Sequence, residues 1–197
     1  MDKQQAQEDL AFIKKVMADS QRILIDNGKI FIMLSLIALT GILMKIIKDL
    51  LGYTFDNLYI WIPIIVIGWI FAVLFKKRTY ARSGGTSYTS RTMDGIWAAF
   101  GISACILGII GYISSGIQGM SVAPVLTVLF GCGQYMSGVV SNRNWISWMA
   151  YGWWSASIIM FFWPGEYAVL ILGLLLILFQ LIPGLVLYQN WKKESHA

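Results

Sequence analysis

The chain has 197 residues, of which 57% are hydrophobic and only 13% charged, with a formal net charge of +5. A soluble domain is about 45–50% apolar and about 25% charged, so this composition excludes an ordinary soluble fold and points to an integral membrane protein. Two cysteines exclude a disulfide-rich secreted scaffold, and a single histidine, His196, is too little for a histidine-based metal or catalytic centre.

Residues 5–24 form a separate first element. Leu10, Ile13, Met17 and Leu24 recur at helical spacing, Phe12, Val16 and Ile23 broaden that face, and Glu8, Asp9, Lys14, Lys15, Asp19 and Arg22 fill the rest. The pattern predicts an amphipathic helix. It either lies in the membrane interface or against the bundle, or docks a cytoplasmic regulatory protein or a second subunit, with Leu10, Ile13, Met17 and Leu24 as the docking candidates. Asp26-Asn27-Gly28 is the expected break before the first span. The first long apolar stretch starts only after a charge-rich segment of 29 residues, so it is expected to be a retained helix rather than a cleaved signal.

A span needs roughly 20 apolar residues to cross about 30 Å of hydrocarbon. The intervals between charges give six, at about 30–47, 58–75, 95–113, 121–140, 145–162 and 167–188, within a transmembrane domain of 28–191. Five is the competing count, because only fifteen residues separate Lys29 from Lys45. Ser114–Gly119 and the Trp163–Glu166 segment are the expected turns, and Pro124 is expected in the first turns of the fourth span. The fold class is therefore all-α, a six-helix membrane bundle behind a cytoplasmic amphipathic helix. Continuous apolar runs argue against an alternating-strand barrel.

On this count 13 of the 15 basic residues fall on one side of the membrane, and only Lys45 and Lys48 on the other. The positive-inside rule then puts both termini in the cytoplasm of a bacterial inner membrane. The net charge is a topology signal, and no direct nucleic-acid binding is expected from it. Most tryptophans land at a membrane interface, whereas Trp69, Trp153 and Trp154 fall deeper and need close packing or a cavity to receive them. The basic, hydroxyl-rich loop from Lys76 to Gly95 has no Walker-type spacing; it sets topology and touches lipid headgroups.

No ionisable residue falls at mid-membrane, which disfavours proton-coupled transport. The polar interior is instead Gly131–Gly138, GCGQYMSG, where Gly131 and Gly133 permit close helix approach and Gln134, Tyr135 and Ser137 offer hydrogen bonds. Cys105 belongs to a small-residue face with Gly101, and Gln180 precedes Pro183-Gly184, where a kink or a freed carbonyl is expected. These residues either pack helices or line a cavity. Neither cysteine has a CxxC partner or a nearby base, and the acids form no pair readable from spacing. No catalytic, metal or cofactor site is expected.

The opening EDLAFIKKVMADSQRIL, Glu8–Leu24, followed directly by a hydrophobic span, resembles an uncharacterised family of bacterial, Bacteroidota-type inner-membrane proteins that begin with a DLxxIRxxMExS-like segment. Asp9, Leu10, Ile13, Met17 and Ser20 match, Lys14 stands for the arginine, and Asp19 supplies acidic character. GCGQYMSG and Trp153-Trp154 look like the family's glycine-rich and tryptophan-rich spans. Relatives are often encoded beside a winged-helix regulator, so the resemblance implies membrane-linked regulation. Two function classes fit the residues. One is a non-enzymatic sensory, regulatory or scaffold protein acting through the cytoplasmic helix. The other is a transporter or channel subunit for a neutral or apolar solute. Membrane lipids, and a second copy across the small-residue faces, are the remaining expected partners.

Overall fold

The computed structural model describes residues 3–83, 88–114, 122–163 and 166–194, and among these the chain is helical with no strand. Helix α1 (Lys3–Leu50) is followed by α2 (Leu58–Ser83) and α3 (Tyr88–Cys105). A π-helical turn, Ile106–Ile110, carries α3 into the short α4 (Gly111–Ile113). Helices α5 (Val122–Val140) and α6 (Asn144–Phe162) form a hairpin. The last rod is α7 (Glu166–Leu176), a second π turn (Ile177–Leu181) and α8 (Ile182–Glu194).

Five segments are long and apolar enough to cross a membrane: Gly28–Leu50, Leu58–Arg78, Ser90–Ile110, Val122–Val140 and Tyr167–Gln189. The first, doubtful from its charge-free length, qualifies because the apolar helix runs on to Leu50, 23 residues in all; within it Lys45 forms an ion pair with Asp49 one turn away. The segment outside this set is α6. It has 19 uncharged residues, about 28 Å of helix, but Trp145, Trp148, Tyr151, Trp153 and Trp154 lower its hydropathy.

The expected break at Asp26-Asn27-Gly28 does not occur: α1 is one unbroken helix of 48 residues. Gly28 serves instead as a crossing point. A Cβ there would stand 3.1 Å from Leu187 Cβ, and one at Gly184 would stand 2.9 Å from the Gly28 carbonyl oxygen. Two glycines thus let α1 and α8 approach backbone to backbone, the small-residue device of membrane helices. Lys29 lies 5.8 Å over the Tyr188 ring beside this crossing.

Helix ends follow local chemistry. Gly52, at φ +70°, closes α1, with Tyr53 N–H bonded to Lys48 O (3.1 Å) and Gly52 N–H to Asp49 O (3.2 Å). Asp56 then caps α2 by accepting from Leu58 N–H at 2.9 Å. Asn142, at φ 51°, repeats the closure after α5, with Arg143 N–H on Gly138 O at 2.9 Å. Most of the turn expected at Ser114–Gly119, the Gly84-Gly85 pair, Pro164-Gly165 and His196 lie outside the described residues.

Neighbouring rods are antiparallel. The packed core joins α1, α5, α6 and α7 through Ile42, Ala123, Trp153, Met160, Ala168 and Leu172. Helices α5 and α6 interlock tightly, Gly138 against Ser147 and Gly131 against the Trp154 indole. Pro124 sits in the first turn of α5, where its missing N–H costs no helical bond, and its carbonyl accepts from Ser157 Oγ at 2.9 Å. Helix α2 is the contrast: only 6% of its span is buried, against 44% for α5.

Candidate functional site

Between α1, α2 and α3 lies a cavity of about 280 Å³, partly open to the surroundings. From α1 it takes Phe31, Leu34 and Ala38; from α2, Ile64, Gly68 and Trp69; and from α3, Trp97, Phe100 and Cys105. Phe130, Leu176 and Gln180 close its inner side. The wall is almost wholly apolar. The cavity exists because α2 follows α1 while standing off from α3. Contacts across that gap include the Trp69 indole over Gly101 and an ion pair of 3.0 Å between Lys76 Nζ and Asp94 Oδ1.

Trp97 organises the inner wall. Its indole meets Phe31 edge-on at 5.4 Å and Phe100 at 5.5 Å, and its Nε1 donates to Ser137 Oγ at 3.1 Å. Ser137 in turn donates to Gly133 O at 2.7 Å. Phe130 stacks on the buried Trp153 with ring centroids 4.8 Å apart, so the cavity's inner wall is continuous with the packed core.

The two glutamines part company. Pro183 has no N–H to give the Phe179 carbonyl four residues earlier. Ile182 N–H bonds to Ile177 O in the π turn, and Gln134 Nε2 reaches across from α5 to donate to Phe179 O at 3.4 Å. Gln134 therefore joins helices, and the freed carbonyl expected near Pro183-Gly184 is the group it serves. Gln180, on that same π turn, is 2% exposed, lines the cavity, and has an Oε1 with no hydrogen-bond partner. An unsatisfied buried acceptor costs about 1–3 kcal/mol, and it is rare enough to single out the place where it occurs.

Cys105 and Gln180 thus line the cavity, while Gly131, Gly133, Gln134, Tyr135 and Ser137 meet neighbouring helices. Gly131 receives Trp154, Gly133 faces Trp97, and Tyr135 packs on Tyr151 and Trp154. Of the three deep tryptophans, Trp69 lines the cavity, Trp154 donates from Nε1 to Val128 O at 3.3 Å, and Trp153 is buried with Nε1 unpartnered. Leu10 and Phe12 are exposed at 57% and 68%, whereas the side chains of Ile13, Met17 and Leu24 lie outside the described residues. Sequence reasoning missed Gly68, Phe130 and the Lys76–Asp94 pair as cavity residues; the depth of Trp69 was the available signal. Among the described residues no group of three or more His, Cys, Asp or Glu could hold a metal. No family model, curated protein or solved structure matches the chain.

Proposed function

We propose that the chain is a non-enzymatic membrane receptor of six spans, with both termini cytoplasmic, in which occupancy of the cavity is passed along α1 to its N-terminal half. One observation carries this reading: α1 is unbroken from Lys3 to Leu50, walls the cavity with Phe31, Leu34 and Ala38, and exposes Leu10 and Phe12 beyond the bundle. A continuous helix has no hinge to absorb a displacement before it reaches the far end. The resemblance of Glu8–Leu24 to the bacterial inner-membrane family supplies the direction of signalling, towards a cytoplasmic regulatory protein.

Support for the sixth span comes from α6, uncharged and interlocked with α5 along its length. Support for orientation comes from the antiparallel order, which gathers Lys29, Lys76, Lys77, Arg78, Arg91 and Arg143 at one end of the rods. The carrier reading for an apolar solute is the weaker one, because the core through Ile42, Trp153 and Met160 is closed beyond the cavity.

Gly68 gives the test, since a Cβ there meets nothing within 4 Å. Gly68→Leu fills the cavity without a ligand. With Cys105 and Cys132 changed to Ser and a fluorophore on Phe12→Cys, the receptor reading predicts an emission shift in nanodiscs on adding Gly68→Leu. Gly95→Leu, an exposed site outside the cavity, should give none. Equal emission in all three proteins contradicts the reading.

A further inference from the structure

The cavity's lining is graded along its length, and the gradient fits one kind of molecule. At one end stand Lys76 and Asp94, with Lys77 and Arg78 following Lys76 in the sequence; at the other, Ile64 and Cys105. From Lys76 to Ile64 along α2 is about 18 Å at 1.5 Å per residue, close to half of a hydrocarbon core of about 30 Å. The charged end therefore sits at headgroup level when the apolar end reaches the bilayer centre. Scaling from the engineered cavity of about 150 Å³ that holds benzene, about 280 Å³ holds roughly eleven heavy atoms. That is one chain of medium length.

Gln180 adds the specificity. Its Oε1 is a buried acceptor without a partner, in a stretch of wall that is apolar away from the Lys76–Asp94 end. A plain alkyl chain would leave it unpaired, and a ligand with a hydroxyl would satisfy it. Trp97, which meets Phe31 on α1, lies one helical turn beyond Asp94. Gly184 crosses α1 at Gly28 and Ile32, and Gln180 lies one turn deeper, about level with Gly68 and roughly 12 Å below Lys76 at 1.5 Å per residue, so the hydroxyl belongs well down the chain.

We infer that the cavity binds a single-chain amphiphile from the leaflet at the basic end. It carries an anionic head for Lys76, a hydroxyl well down the chain for Gln180 Oε1, and a chain of about twelve carbons between α1, α2 and α3. This rests on the membrane-receptor reading and names its ligand.

Tritiated 8-hydroxydodecanoate, with dodecanoate as its partner lacking the hydroxyl, tests this on the full chain in nanodiscs. Wild type should bind one 8-hydroxydodecanoate per chain saturably, roughly fivefold or more tighter than dodecanoate. Gly68→Leu and Ala72→Leu, which fill the cavity one turn apart, should each weaken binding tenfold or more, and Gly95→Leu should not. Gln180→Met should erase the preference for the hydroxyl while keeping dodecanoate affinity. Three results overturn the inference: no saturable binding to wild type, binding indifferent to both filling variants, or a hydroxyl preference that survives Gln180→Met. If binding behaves as stated while the Phe12 label ignores Gly68→Leu, the ligand stands and the receptor reading falls. If the label responds and neither acid binds, the ligand falls alone.

Discussion

Gln180 keeps an unpartnered Oε1 in a wall where an apolar side chain would fit. Replacing such a group by one of similar shape removes a desolvation cost, so Gln180→Met should stabilise the ligand-free protein by about 1–2 kcal/mol. A thermal unfolding midpoint in detergent above that of wild type checks this, and a clear fall contradicts it. Glycines divide in the same physical way. A Cβ at Gly138 would collide with the Ser147 backbone nitrogen, while one at Gly68 meets open space. Gly138→Ala should therefore destabilise by about 1–3 kcal/mol through overpacking. Gly68→Ala should be neutral or slightly stabilising, because alanine favours the helix by up to about 1 kcal/mol. Unfolding midpoints of the two variants that shift alike would refute the assignment. Residues of both sorts look the same in the sequence. Gln134 and Gln180 are each one amide in an apolar helix, and Pro183, by freeing the Phe179 carbonyl, is what commits Gln134 to packing.

Among the elements, the apolar helices were readable because Lys29, the Lys76–Arg78 run and Arg143 bound stretches without charge. Less readable was the joint at Asp26–Gly28, where a glycine that signals a helix stop in isolation is a contact with Gly184. The cavity was not readable, since Gly68, Trp97, Phe130 and Gln180 come from four separate rods and only their packing makes them neighbours. The π turn at Ile177–Leu181 makes its own prediction. Pro183→Ala restores an N–H for Phe179 O, so Gln134→Leu should cost less in that background than in wild type. A double-mutant cycle on unfolding free energy should show coupling of roughly 0.6 kcal/mol, and strict additivity would mean that the Gln134–Phe179 contact contributes nothing. For α6, Asn142→Cys and Tyr167→Cys in a Cys105→Ser, Cys132→Ser background should be labelled by a membrane-impermeant maleimide from opposite sides. Labelling from one side only would place α6 along the membrane surface rather than across it.

On the scale of the whole molecule the bundle is asymmetric. A closed core through α5, α6 and α7 faces a loosely held α2, and the cavity occupies the space between, with α1 as the element common to both. On the proposed reading a ligand displaces the cavity half of α1, which pivots on its Gly28–Gly184 crossing with α8 while α5 and α6 stay fixed. The central claim is that α1 transmits the shift because it is continuous. Pulsed dipolar distances between spin labels on Phe12→Cys and Asn142→Cys, in nanodiscs with Cys105 and Cys132 changed to Ser, address it most directly. Gly68→Leu should move the distance distribution relative to the unfilled protein. Adding Asn27→Pro, which breaks the helix between cavity and N-terminal half, should abolish that response to filling. A distribution that is the same with and without Gly68→Leu in the unbroken helix would contradict the account.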